Sequence, residues 1–519
     1  MSLLSKLASQ TKSVGLQHPT DKFVFGSPEA EAEATLESTV RLLDVFEDFL
    51  GVLPLLNTER FIIIGRKGSG KSAIAEYICA KADDDAESFA SFVRHDLIGL
   101  YRSVLETKDK PAFSLYHLFE WVILITLLEF IFNNEALADD KEYGELKKFY
   151  EKNSGFIDKL GAEIVKTSKS STFDIGVEYL KRFMTAKYKT RMDVQEARAP
   201  FYKILPSLKK AVLDILSSDI SRRHENSYYV FFDDLDINFT INSDIDRTSL
   251  ADLLRVVKDY NNNFFSKNNL QGKIVVLLRD DIIYSLNTSE ADMSKIIHSY
   301  GIHLHWYDRE TFYKNIGALP IKRFIDKRLS NAFSKLNIHW DDDAWLSFAG
   351  DSPTDYGLLK DIIDITFCRP RDMILLFDGV KNLKTSFPLQ LQHLKKLIGW
   401  YCTKLMTETK NELVAFYSRE QIEALMNTLK ELSRGHEKGI FTLSDFELTA
   451  RRCGYSGDTK RALELLFGYS MIGNIDKKTD NNTPNVYYKY REPSDAPYGI
   501  KLDMAFCIHK SLQRYFSRE

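Results

Sequence analysis

Short, wholly apolar runs alternate along this chain with longer stretches in which apolar residues recur every three or four positions. Phe61-Ile-Ile-Ile64 is apolar throughout and ends at a glycine, the pattern of a central strand buried on both faces. Phe89–His95, Tyr228–Phe232, Lys273–Leu278 and Gly301–Trp306 have the same character and are read as strands of one sheet. The helical periodicity between them predicts βαβ units, hence an α/β fold with a parallel sheet covered by helices. About 130 residues separate the second and third runs, far more than one crossover needs. This stretch, about 96–226, holds the apolar run Trp121–Phe132 and the amphipathic stretches Glu145–Lys152 and Val177–Lys187. It is read as a helical insertion, either a cover for the sheet or a surface for a protein partner.

The regions flanking the sheet differ in pattern. Residues 1–60 open as a polar arm and turn helical, with Leu42, Leu43, Phe46, Phe49 and Leu50 at helical spacing. The core is assigned to 61–309, and 310–434 is helical, with Pro320, Pro353 and Pro370 near its breaks, as expected of a lid. In 435–519, helices are predicted over 442–453 and 459–468. Tyr469–Ile475, a polar loop and Val486–Tyr490 follow, which is the outline of a winged helix, and Ile508–Phe516 reads as a final packing helix.

Composition adds limits. Of 519 residues, 44% are hydrophobic and 28% charged, enough apolar material for large cores and unlike a disordered chain or a disulfide scaffold. The net charge is −3, so no global basic field draws the molecule to nucleic acid. Residues 438–519 alone hold 13 Lys and Arg against 10 Asp and Glu, so a local contact there stays open, as does docking onto protein. Five scattered cysteines without a CxxC pair predict free thiols in a reducing cytoplasm. The N-terminal residues lack the apolar core of a secretory signal. The longest apolar run is 12 residues, against about 20 for a membrane span, so no membrane is expected.

The chemistry concentrates at the strand ends. Gly65-Arg66-Lys67-Gly68-Ser69-Gly70-Lys71-Ser72 fits GxxxxGK[ST] between a strand and a helix, with Ala73 continuing into that helix. Such a loop wraps phosphate oxygens with backbone N–H groups, with Lys71 reaching the β- and γ-phosphates of ATP and the Ser72 hydroxyl a ligand of Mg²⁺. Tyr228–Phe232 runs into Asp233-Asp234-Leu235-Asp236. Asp233 is the candidate metal ligand, Asp234 the group that orients or deprotonates attacking water, and Asp236 a support for the turn. The next strand delivers Arg279-Asp280-Asp281, where Arg279 either contacts the γ-phosphate or pairs with the neighbouring acids. In Arg369-Pro370-Arg371-Asp372, Arg371 is the second candidate phosphate sensor, the alternative being an arginine paired with Asp372. No LSGGQ-like, HExxH, zinc-ligand or GxSxG pattern is present, and His303 and His305 read as packing residues.

GRKGSGKS, FFDDLD, VVLLRDD, CRPRD and a terminal winged-helix outline occur in this order, and together they resemble bacterial P-loop ATPases of the STAND and AAA-type branch, near its initiator-like clade. More narrowly, the chain resembles stand-alone ATPases whose opening reads GRKGSGKSA. The resemblance implies an ATP-driven switch between closed and open lid positions, often in an oligomer, and in several such proteins a place in anti-phage or stress-response loci. No arginine-finger motif stands out, and Arg309, Arg323 and Arg328 are the candidates. Three functions remain on these grounds: an ATP-hydrolysing switch, a nucleotide-gated scaffold with little intrinsic hydrolysis, and a DNA-binding initiator-like protein.

Overall fold

The five apolar runs do pair as one parallel sheet. β1 (Ile62–Ile64), β2 (Ser88–Val93), β5 (Ser227–Phe232), β6 (Gln271–Leu278) and β7 (Gly301–His303) lie in the order β2-β5-β6-β1-β7. The computed structural model describes residues 18–518 apart from 95–96, 100–113, 135–142, 154–173, 177, 189–197, 219–224, 236–242, 290–291, 341, 415, 436–438, 477–484 and 493–498. The chain divides into two compact units, one of Leu50–His305 and one in which 18–49 join 306–518.

In the Leu50–His305 unit the central strands are apolar on both faces because helices cover both. Ile62, Ile63, Ile64, Ile274, Val275 and Val276 are fully buried. The insertion supplies one cover. Helix Leu115–Asn133 packs on β5 and on helix Phe201–Leu216, and all three belong to one core with helix Asp244–Asp259. At 19 residues that first helix is longer than the 12-residue run suggested, and by length and composition it could cross a membrane. Its side chains are instead buried almost all round, as in the core helix of a layered fold. A small antiparallel pair, β3 (Asp174–Gly176) with β4 (Arg198–Pro200), also lies in the insertion and was not expected from the sequence pattern.

A π-helical turn, Tyr260–Phe265, follows helix Asp244–Asp259 and carries Asn261 to the sheet. The Asn261 amide donates to the Ile274 carbonyl at 2.8 Å and accepts from the Ile274 N–H at 2.9 Å. It thereby stands in for the strand that β1 is too short to provide, since buried backbone groups need partners. Asn261→Ala leaves both groups unpaired, and a loss of about 2–4 kcal/mol in denaturant titrations is expected.

The other unit has its own core. Phe23 and Phe25 pack with Phe324, Phe348, Phe377 and Phe387, so residues 18–25 are an integral part of this helical body. Thr20 Oγ1 exchanges hydrogen bonds with the backbone of Thr385 at 3.0 and 2.9 Å. The continuous helix expected over 42–50 is broken. Leu42–Val45 forms a single turn, Gly51 is left-handed at φ 67°, and Val52–Leu56 restarts with Pro54 in its first turn.

Helices Leu443–Arg452 and Thr459–Gly468 form as predicted, each capped by a side-chain oxygen, of Thr442 and Asp458 respectively. A four-stranded antiparallel sheet stands beside them in the order β10-β9-β11-β8. It comprises β8 (Ile440–Phe441), β9 (Ile472–Asp476), β10 (Asn485–Tyr487) and β11 (Ala505–Ile508). Tyr469–Met471, expected as strand, instead close the preceding helix through hydrogen bonds to Leu465, Phe467 and Leu466. All five cysteines are free thiols.

Candidate functional site

The turn after β1 is shaped by its glycines. Gly68 (φ 78°) and Gly70 (φ 94°) take left-handed conformations that L side chains avoid. A Cβ on Gly65 would collide with the Ser69 hydroxyl. Gly65 N–H donates to the Leu278 carbonyl at 3.1 Å, and Ser69 N–H closes the turn on the Arg66 carbonyl at 3.1 Å. Helix Lys71–Asp83 then begins, and its first-turn N–H groups and dipole favour an anion. Lys71 Nζ donates to the carbonyls of Gly65 at 3.0 Å and Arg66 at 3.3 Å, so its ammonium lies across the loop. Ser69 is buried, Arg66, Ser72 and Ala73 are half-buried, and Lys67 is exposed.

The strand order fixes what faces this loop. β6 stands between β1 and β5, so Arg279 at the end of β6 is interposed between the loop and Asp233. Ile64 is level with Leu278, and Phe232 with Val276, which sets the loop, Arg279 and Asp233 along one edge of the sheet. Two strand spacings separate the outer members, about 10 Å.

Asp233 is 6% exposed. Its Oδ1 accepts the Asp234 N–H at 2.9 Å, while its Oδ2 is buried with no hydrogen-bond partner. Asp234, half-buried, turns the chain through φ 57° directly after it. A buried carboxylate oxygen without a donor is costly, and a hard divalent cation is the group that satisfies it. The donor set, Asp233 Oδ2 and the Ser72 hydroxyl, is all oxygen and fits Mg²⁺. Asp236 lies outside the described residues.

Arg279 forms a two-pronged pair with Asp281, Nε to Oδ1 at 3.0 Å and Nη2 to Oδ2 at 2.6 Å. The fork is held flat against the sheet edge, with both side chains partly exposed.

Two charged residues enter that the sequence pattern did not single out. Val93 pairs with Phe232, so Arg94, one residue on, is level with Asp233. Arg94 forms an ion pair with Glu76 and its guanidinium lies 3.7 Å from the Phe92 ring centroid. Glu76 is four residues after Ser72 and shares its helix face. The pair therefore fixes the Ser72 face of the helix over the strand ends that carry Arg94 and Asp233. Only the register of β2 against β5 reveals this. Cys79, on the same helix, has its thiol pushed up to about 12 by burial and by Glu76, so it is held neutral and is no nucleophile.

Arg371 belongs to the other unit. There its Nε donates to Glu408 at 3.1 Å and its Nη2 lies 3.4 Å from Glu29. Asp372 is taken by the preceding arginine. Arg369 is buried and bonds Asp372 through Nε at 3.0 Å and Nη2 at 2.8 Å. Among the finger candidates, Arg328 is buried against Glu33, Arg323 pairs with Glu47, and Arg309 lies 5.9 Å from the Tyr487 ring centroid. His303 pairs along β1 beside Ile64, and no cluster of metal-ligating side chains occurs among the described residues.

In the C-terminal part, Arg451, Arg452, Lys460 and Arg461 are exposed where two capped helices meet. Leu463, Leu466 and Phe467 point into the core, as their spacing predicted. Lys477 and Lys478 lie outside the described residues.

A parallel sheet, a glycine-rich loop between its β1 and a helix, and an acid at the end of β5 together define an α/β fold of the P-loop NTPase kind. No family model and no curated protein matches the chain. Among solved structures, the ORC2 protein of Aeropyrum pernix in its ADPNP–ADP complexes is similar at TM-score 0.39 and 11% identity, covering 86% of this chain and 88% of that one. The ADP form of the same protein gives TM-score 0.30 and 12% identity over 90% and 89%.

Proposed function

We propose that this chain is an ATP-operated switch that binds and hydrolyses ATP with Mg²⁺ at the loop after β1. The observation that carries the proposal is the unpartnered, buried Oδ2 of Asp233 on the same sheet edge as Lys71 and the helix N-terminus. Backbone N–H groups of residues 65–73 hold the phosphate oxygens, and Lys71 leaves the Gly65 and Arg66 carbonyls to neutralise them. Ser72 and Asp233 hold Mg²⁺, which, when bound, screens the charge on the phosphates. Asp234, next in the chain, takes the proton of the attacking water. Arg279, braced by Asp281, meets the charge that develops on the terminal phosphate. Preorganised charge of this kind supplies most of the acceleration in phosphoryl transfer. Arg371, bonded within its own unit, is assigned to reporting the nucleotide state. Equilibrium titration of the full chain with ATP and Mg²⁺ tests the proposal. One saturable equivalent is expected, and no binding at millimolar ATP would overturn it.

A second reading concerns the C-terminal part, which we take as winged-helix-like. Four exposed cations at the junction of its helices favour a contact with duplex backbone. The double variant Lys460→Glu, Arg461→Glu is then expected to weaken duplex DNA binding at least tenfold and to flatten its dependence on salt. An unchanged salt slope would leave a protein partner as the occupant of this face. Assembly into a homo-oligomer and a role in anti-phage or stress-response defence belong to the family resemblance and stand as proposals beside these readings.

A further inference from the structure

Helix Lys71–Asp83 and β5 carry the phosphate-loop residues and Asp233 at one end. At their other ends they line a separate recess of about 450 Å³. Tyr77, Ile78 and Ala82 come from the helix, Tyr229 from β5, and Leu56 and Asn57 from the segment before β1. Tyr229 is four residues before Asp233, roughly 13 Å down the strand, so this space is remote from the phosphate loop. Its size falls within the range of pockets that hold small organic ligands.

The lining has unused capacity of a particular kind. Among the described residues, the Tyr229 hydroxyl and the Asn57 side-chain amide make no hydrogen bond. Burial holds the Tyr229 phenol above its ordinary range, so it stays a donor at physiological pH. An amide that offers both a donor and an acceptor matches the edge of a nucleobase, and two tyrosine rings offer faces on which a flat ring stacks. Leu56, Ile78 and Ala82 make the remainder apolar.

Charge narrows the ligand further. Asp84 and Asp85 stand at the C-terminal end of the helix, where its dipole is also negative, against one ammonium, that of Lys81. Asp85 is already engaged by Ser88 Oγ at 2.6 Å and Glu87 N–H at 3.2 Å, and Asp84 remains exposed at the mouth. Such a rim repels phosphate and accepts hydroxyl hydrogens. We propose that this recess is a second binding site, for an uncharged, nucleoside-sized heteroaromatic molecule, and that it discriminates against phosphorylated forms.

The test uses the full chain with Lys71→Ala, so that the phosphate loop contributes little. Equilibrium dialysis with adenosine, guanosine, cytidine and uridine, each beside its 5′-monophosphate, reads the site directly. At least one nucleoside is expected to saturate near one equivalent, with its monophosphate at least tenfold weaker. Asn57→Ala and Tyr229→Phe, added singly, should each lower that affinity about fivefold. Absence of saturable binding by all four nucleosides overturns the proposal. So does binding that neither substitution weakens, since it then occurs elsewhere, and so does a monophosphate that binds equally well.

Discussion

Lys71→Ala is expected to weaken ATP binding by about 100-fold or more. Each hydrogen bond from the ammonium to a charged phosphate oxygen is worth about 1.5–3 kcal/mol, and two such bonds convert to that factor or a larger one. The folded chain should survive the change. The Lys71 ammonium contacts the Gly65 and Arg66 carbonyls, which lie at the loop mouth and can turn to water. The readout is therefore a titration with ATP alongside an unchanged far-ultraviolet spectrum. Wild-type affinity in the variant would show that the glycine-rich turn is not a phosphate loop.

The second large effect concerns stability. Glu33 and Arg328 are 2% and 5% exposed and meet through two bonds of 2.7 Å. Arg328 Nη1 also donates to the Phe25 carbonyl at 3.2 Å, and Glu33 Oε1 accepts the Ser27 N–H at 2.7 Å. Glu33→Ala strands a buried guanidinium, at a cost of about 3–5 kcal/mol. Replacing both partners with apolar residues of similar volume, as in Glu33→Leu with Arg328→Met, should restore most of the loss. Tryptophan fluorescence in a denaturant titration is a suitable probe, because Trp306, Trp340, Trp345 and Trp400 all lie in the unit that holds this pair. A loss below about 1 kcal/mol would mean that residues 18–49 are not anchored as described.

The same pair shows where the sequence stops being informative. Arg328 reads as one of several arginines on an amphipathic helix, and its partner is 295 residues away. Nothing in local periodicity carries that distance. Phe23 and Phe25 are similar, since two apolar residues in a polar arm do not reveal the aromatic cluster that receives them. By contrast, the strands of the central sheet were legible because burial on both faces leaves unbroken apolar runs. The loop after β1 was legible because three glycines, Lys71 and Ser72 are each required by one local geometry.

The order β2-β5-β6-β1-β7 was not legible, and the site depends on it. Only that order sets Arg279 between the loop and Asp233 and brings Arg94 level with Asp233. β8 and β11 escaped notice because two and four residues are too few to show alternation. The predicted helix over 42–50 failed because periodicity was read through Gly51 and Pro54, which end one turn and begin another.

The most direct test of the account is phosphate release from ATP and Mg²⁺ by the full chain, with Asp234→Asn as its control. The wild-type chain should turn over, and the variant should bind ATP with little change while releasing phosphate about 100-fold or more slowly, the range expected on loss of a general base. Release by Asp234→Asn at the wild-type rate would contradict the assignment of water activation to the end of β5.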